Sequence, residues 1–308
     1  MTAKPLTWRY QIYFRVGRGG IGIPYELAKT EFFIVFERYG IRTRNEWPAR
    51  RRLWIEMSLS PDDIPDLASD LGYTEAILGM QYEPYDGVEI VPVEKGRWYV
   101  GWVREQDWKV YQTEVYVQDA AALLEDAPNR RTFDIQYDGK TRTTTGHQTQ
   151  RGLSNLDARL VYNVAKVKPG DSILDPFAGA GGLVAEASRR NITVTASDID
   201  ASLSPGLSAI LPDRYVISDA RKLTFGDRTF DAIITEPPFR TAYRQAVMDA
   251  LPELHRVLRS SGHLIILVAE DMHDAIATWF TANAYTVQHI TTLPRGGGLK
   301  CPVLHVHH

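Results

Sequence analysis

Cysteine is almost missing from this sequence: Cys301 stands alone among 308 residues. An internal disulfide is therefore impossible, and nothing in the cysteine count suggests a zinc cluster. A single thiol fits a reducing compartment. Net charge is nearly missing too. Lys and Arg number 35 against 38 Asp and Glu, a formal −3 at pH 7. That balance is not the strongly basic sheath of a protein that coats nucleic acid, although local patches can still make such contacts. No apolar run reaches the roughly 20 residues that a membrane helix needs. The opening MTAKPLTWRY has no apolar signal core. These absences lead us to expect a cytoplasmic protein with no membrane partner. Repeats and low-complexity tracts are absent as well.

What is present is an ordinary folding composition, 44% hydrophobic and 24% charged, which excludes a disordered or collagen-like chain. The length predicts two domains at roughly 100–200 residues each. The two parts differ in texture. Trp8, Trp47, Trp54, Trp98, Trp102 and Trp108 precede residue 110, and Trp279 alone follows. In the first part, Trp8–Val16, Arg51–Met57 and Trp98–Val103 read as strands. Pro24–Tyr39 and Pro61–Leu71 read as helices, the first stopped by Gly40. The polar, turn-rich stretch Asp126–Gln150 reads as a connection. Beyond it, Leu156–Val167 is an amphipathic helix with Ser154 as N-cap and Asp157 as its capping-box partner. Strands and helices then alternate to residue 306. That alternation predicts an α/β fold, a parallel Rossmann-like sheet with helices on both faces. The domains expected are residues 1–125 (small, α+β), a linker over 126–150, and residues 151–308.

The most informative segment is Ser172-Ile-Leu-Asp-Pro-Phe-Ala-Gly-Ala-Gly-Gly182. An apolar strand ends in Asp175, and a glycine-rich turn runs straight into a helix. Ligands of open α/β sheets sit at such carboxyl ends. Gly179 and Gly181 let the backbone approach a ligand closely. The spacing is neither GxGxxG nor a loop ending in GK[ST]. An acid beside the loop disfavours a phosphate and suits a cationic amino or sulfonium group, which points to S-adenosylmethionine. Asp198 follows the loop by roughly the 20 residues at which an acid reaches ribose hydroxyls. Asp219, at the end of the third strand, could accept from an adenine amino group. We expect these three acids in register at successive strand ends.

The fourth strand runs into Glu236-Pro-Pro-Phe239. Two prolines fix φ and remove two donors, leaving carbonyls and the acid as acceptors. Phe239 offers an aromatic face. The set suits a planar base that stacks on the ring and donates its exocyclic NH₂ to Glu236 and a proline carbonyl.

Together these residues make the chain resemble the class I S-adenosylmethionine-dependent methyltransferases of the amino-group type, which carry [D/N/S]-P-P-[Y/F/W] after the fourth strand. Ser154–Gly182 is most similar to the RNA guanine-N2 methyltransferases linked to THUMP domains. Tyr13-Phe-Arg, Tyr25–Glu31 and Leu71–Leu78 resemble the small ferredoxin-like domain that precedes THUMP in that family. The sequence departs from the family in Glu236, where Asp or Asn is usual, and in Phe239, where Tyr is commoner. Residues 80–150 are short for a THUMP domain. The resemblance implies S-adenosylmethionine as cofactor, guanosine N2 in tRNA as methyl acceptor, and RNA as partner. It implies Glu236, Pro237, Pro238 and Phe239 as catalytic residues. Ser154, Asp157, Asp175, Phe177, Gly179, Gly181, Asp198, Ile199, Asp219 and Ala220 would hold the cofactor, and no metal is implied. Two alternatives stay open: a DNA adenine-N6 or cytosine-N4 methyltransferase, and a methyltransferase fold that binds RNA without turnover.

Other features are weaker. Arg42, Arg44, Arg50, Arg51 and Arg52 form a basic turn that is either solvated or in contact with RNA. Arg295, Gly296–Gly298 and Lys300 form a basic loop, read as a hairpin turn or a nucleic-acid contact. His147 reads as a loop residue. His305, His307 and His308 alternate on a final strand with no acid nearby, so metal binding is not expected. Trp98, Trp102 and Trp108 read as packing residues.

Overall fold

The computed structural model describes residues 8–18, 21–60, 63–68, 70–81, 101–104, 116–117, 135–137, 140–142 and 153–308. Trp98, Trp108, His147 and most of 126–150 lie outside these residues. The chain divides into two compact units, 1–131 and 132–308. Among the described residues, no helix is long and apolar enough to cross a membrane.

The first unit runs β1 (Trp8–Phe14), α1 (Tyr25–Phe36), β2 (Arg42–Trp47), β3 (Arg52–Met57), α2 (Ile64–Ala68) and β4 (Thr74–Gln81). These strands lie in the order β2-β3-β1-β4, and every pairing among them is antiparallel. This βαββαβ arrangement is the ferredoxin-like connectivity expected from the resemblance. A further strand, β5 (Gly101–Arg104), runs parallel to β4. Leu27, Ala28, Phe32 and Phe36 bury one face of α1, where Phe32 and Phe36 stack at 4.6 Å. Glu31 shares that face and is fully buried; its two oxygens accept the amides of Gly72 and Tyr73 at 2.8 and 2.7 Å. A buried carboxylate is tolerated when backbone donors satisfy it. Gly40, at φ +66, ends the turn that follows α1.

The basic segment expected as a turn is instead a hairpin, with Arg42–Trp47 as an edge strand paired to β3. Arg44 bonds Glu56, Arg51 donates to the Phe14 carbonyl, and Arg52 lies over the Tyr13 ring. These arginines therefore help hold the sheet together.

The second unit contains α3 (Asn155–Ala165), β6 (Ile173–Asp175), α4 (Gly182–Arg189), β7 (Val194–Asp198), α5 (Ser204–Ile210), β8 (Tyr215–Ile217), β9 (Phe230–Thr235), α6 (Arg244–Val257), β10 (Leu258–Leu267), α7 (His273–Ala282), β11 (Thr286–Pro294) and β12 (Lys300–His307). The sheet order is β8-β7-β6-β9-β10-β12-β11, parallel from β8 through β10. Antiparallel β12 inserts between β10 and β11. The central strands read as nearly unbroken apolar runs, as buried parallel strands do. Ile233, Leu264 and Ile266 pack with Val247, Leu251 and Leu254 of α6 in one core. Helix α5 was not expected: Pro205 and Gly206 look like turn residues, but Pro205 occupies a first-turn position where its missing N–H costs nothing.

Candidate active site

Strand β6 delivers Asp175 into the interior, 1% exposed. Its Oδ1 accepts the Thr235 hydroxyl at 2.8 Å and the Phe177 amide at 3.3 Å. Burial pushes the Asp175 carboxyl up to about 7; these two donors pull it down, and the charges of Asp198 and Glu236 raise it. Thr235 is the residue before Glu236, so this bond ties the end of β9 to the start of the glycine loop.

Within that loop, Gly179 and Gly181 have φ of +52 and +79, which residues bearing a Cβ rarely adopt. Gly182 opens α4 so close to the chain before α3 that a Cβ would stand 2.5 Å from the Leu153 carbonyl oxygen. Asp198 holds the loop: Oδ2 accepts the Gly179 amide at 2.8 Å, and Oδ1 accepts the Asp200 amide at 2.9 Å. Burial raises the Asp198 carboxyl, and these amides work against the rise. Ile199 follows with 64% of its surface exposed, an apolar side chain open to solvent beside the glycines.

The three acids are not level. Asp175 lies opposite Ala196, and Asp198 opposite Ile217. Each successive acid is therefore displaced two residues along its strand. Asp219 lies beyond the end of β8, where Arg221 binds both its oxygens and holds its carboxyl below the usual range. Its expected role as an acceptor for adenine must compete with that arginine. Ala220, next to it, is buried.

Helix α3 begins as expected. Ser154 is its N-cap, and its hydroxyl accepts the Asp157 amide at 3.2 Å. The Asp157 side chain goes elsewhere. Fully buried, it accepts from Arg295 Nη1 at 3.2 Å, while Arg295 Nη2 donates to Glu236 Oε1 at 2.7 Å. Arg295 is 11% exposed, and its guanidinium lies 5.8 Å from the Phe239 ring centroid. Burial opposes its charge, but Glu236 and Asp157 more than offset that and hold it protonated. Pro237 is buried and Pro238 exposed, and Phe239 packs partly against the core.

The basic loop is a hairpin turn, closed by the Arg295 amide on the Leu299 carbonyl at 2.8 Å. It also returns Arg295 to the Glu236 tetrapeptide, which periodicity could not reveal. The sequence offered only a general electrostatic signal: a rim lined by acids calls for a cation, but Arg221 and Arg240 also follow strand ends, and nothing local singles out Arg295. Histidines 263, 305 and 307 form a ring ladder, with centroids 5.4 and 4.9 Å apart. Burial and neighbouring cationic groups push His305 down to about 4. Among the described residues, no group of three or more His, Cys, Asp or Glu is placed to hold a metal.

Comparison with known proteins bears on the fold and the family resemblance. Residues 174–266 match the family model described as a methyltransferase domain. A tRNA (guanine(10)-N2)-dimethyltransferase of Methanothermobacter thermautotrophicus is 36% identical over 34% of this chain and 33% of its own length. The tRNA (guanine(10)-N(2))-methyltransferase TRMT11 of Xenopus laevis is 27% identical over 50% of this chain and 44% of its own. The chain thus spans between a third and a half of the length of these relatives. The crystal structure of TrmN from Thermus thermophilus superposes with a TM-score of 0.51 at 16% identity, covering 98% of this chain and 99% of that one. The second unit has the class I methyltransferase fold, and the resemblance to tRNA guanine-N2 methyltransferases is borne out by these relatives.

Proposed function

We propose that this chain, whose second unit is a class I methyltransferase domain, transfers a methyl group from S-adenosylmethionine to the exocyclic N2 of guanosine in RNA, and that the RNA is tRNA. The observation that carries this reading is the meeting of two sites. Asp175, beside the glycine loop, is joined through Thr235 to the strand that ends in Glu236-Pro-Pro-Phe239. The similarity to tRNA guanine-N2 methyltransferases supports guanine in RNA over a base in DNA.

The residues of the first strand end fit the cofactor. Asp175 is a buried carboxyl whose burial favours the neutral form; a sulfonium or ammonium beside it would restore the charged form. The positive-φ glycines leave the backbone bare for close approach. Asp198 and the exposed Ile199 stand beside them, an acceptor for ribose hydroxyls and an apolar wall for adenine. When bound, S-adenosylmethionine supplies a methyl group on a positively charged sulfur.

The protein's own work is placement. Phe239 gives the base a face to stack on, and Glu236 with the Pro237 carbonyl accepts N–H groups from its edge. That directs the nitrogen lone pair along the line of attack. The proton on the amine is lost during or after transfer, with a Glu236 oxygen as acceptor. Exclusion of water from the charged centre when base and cofactor are both seated would strengthen these contacts. A paired guanosine must leave its stack to reach them. Arg42 and Arg50, exposed on the first unit, are the arginines of the basic segment we assign to backbone phosphates.

Mass spectrometry of tRNA nucleosides from cells with and without the gene tests the proposal. Loss of N2-methylguanosine from the deletion strain is expected. An unchanged nucleoside profile would contradict it.

A further inference from the structure

The Arg295–Glu236 contact has a consequence for which base the site accepts. A carboxylate can receive two neighbouring N–H donors, and guanine offers two along one edge, N2–H and N1–H, followed by the O6 acceptor. Adenine offers one donor and then an acceptor. A site that reads guanine in full therefore needs a donor standing next to the carboxylate. Arg295 stands there, 2.7 Å from Glu236 Oε1. A guanidinium carries five N–H donors in a fixed plane. Asp157 engages Nη1 and Glu236 engages Nη2, which leaves N–H groups for a third acceptor. The cation also lies 5.8 Å from the centroid of the ring on which the base would stack.

Its position is built rather than incidental. The hairpin closed by the Arg295 amide fixes the backbone. Asp157, fully buried at the start of α3, anchors the other side of the guanidinium. The extra methylene of Glu236, relative to the usual Asp, carries its carboxylate outward by about the 1.5 Å of one carbon–carbon bond, toward this arginine.

We propose that Arg295 is a specificity-determining residue that donates to guanine O6 while Glu236 accepts from N1–H and N2–H. Arg295 makes the site read guanine and reject bases that lack the position-6 acceptor. This inference rests on the proposed guanine-N2 activity.

The test compares tRNA carrying guanosine or 6-thioguanosine at the methylated position. The thio base keeps both N–H donors and puts a larger, weaker acceptor at position 6, so the part of the preference that changes with residue 295 is the part that reports its contact. The wild type should prefer guanosine by about tenfold in kcat/KM, the range expected for one hydrogen bond to a charged group. In Arg295→Met the preference should fall below about threefold, because the O6 contact is gone for both bases. Removing the cation leaves Asp157 buried without it, so Arg295→Lys is measured alongside; lysine keeps the charge but not the planar fork, and the preference should shrink there too. A purely structural role would slow both substrates equally. If both variants keep the tenfold preference, Arg295 does not read O6, and the proposed function stands without it. If the wild type transfers no methyl to guanosine N2, the proposed function and this inference fall together.

Discussion

Asp198 Oδ2 accepts the Gly179 amide at 2.8 Å. The acid assigned to the ribose is therefore also the clamp that shapes the glycine loop, and its second oxygen holds the Asp200 amide. Replacing it removes the acceptor proposed for the cofactor and those that hold the Gly179 and Asp200 amides. Asp198→Ala should weaken S-adenosylmethionine binding at least tenfold, from the loss of roughly 1.5–3 kcal/mol. It should also lower the melting temperature of the free protein. Calorimetric titration and a thermal melt measure the two effects. Unchanged affinity would remove Asp198 from the site.

Asp175 makes the free protein sensitive to pH. In the unfolded chain its carboxyl titrates near 3.8; in the folded one burial carries it up to about 7. Between these values the folded state holds the extra proton, so the stability from this group is full at acid pH and is lost as pH rises through 7. Asp175→Asn, which never ionises, should gain on the wild type by several degrees in melting temperature between pH 5 and pH 8. Over the same range the wild type should bind S-adenosylmethionine more tightly as Asp175 ionises, and the variant should show no such trend. Parallel pH curves for the two proteins would show that Asp175 is not the titrating group.

The proposed function gives Phe239 to the base and not to the cofactor. Phe239→Ala should reduce kcat/KM for RNA by about 10–100-fold, the worth of one base–aromatic stack at 1–3 kcal/mol. Binding of S-adenosylhomocysteine should stay within about twofold. If cofactor binding falls as far as transfer, the ring belongs to the other half of the site.

Much of this site was legible because its signals are local. The acid–glycine loop, Ser154 as a cap and the proline pair are each set by neighbours in sequence, and the structure places them at strand ends and a helix start. That the first unit is a small ferredoxin-like domain also followed from the resemblance of short segments, though its strand order did not. Arg295 was not legible as a site residue, since 59 positions separate it from Glu236, and only a hairpin in an antiparallel strand pair returns it. The level row of acids was wrong for a related reason: strand register is a tertiary property, and each acid is offset by two residues. Strand β2 was missed because an exposed edge strand rich in arginine carries no alternation of apolar residues.

A control separates folding from chemistry. Glu186 is 4% exposed and accepts from Arg189 at 2.6 Å and from Arg190 at 2.7 Å. Glu186→Ala leaves clustered guanidinium groups without that carboxylate and should cost about 3–5 kcal/mol of stability. Urea denaturation measures it. The surviving folded fraction should bind cofactor as the wild type does, and weakened binding by that fraction would place the cluster in the site.

The central claim is that an amine on guanine is methylated at the Glu236 tetrapeptide. Purified protein is incubated with S-adenosylmethionine labelled on its methyl group and with unmodified tRNA, then the RNA is digested to nucleosides. The account predicts label in N2-methylguanosine for the wild type and its loss in Glu236→Ala. Label in any other nucleoside, or equal labelling by the two proteins, would contradict it.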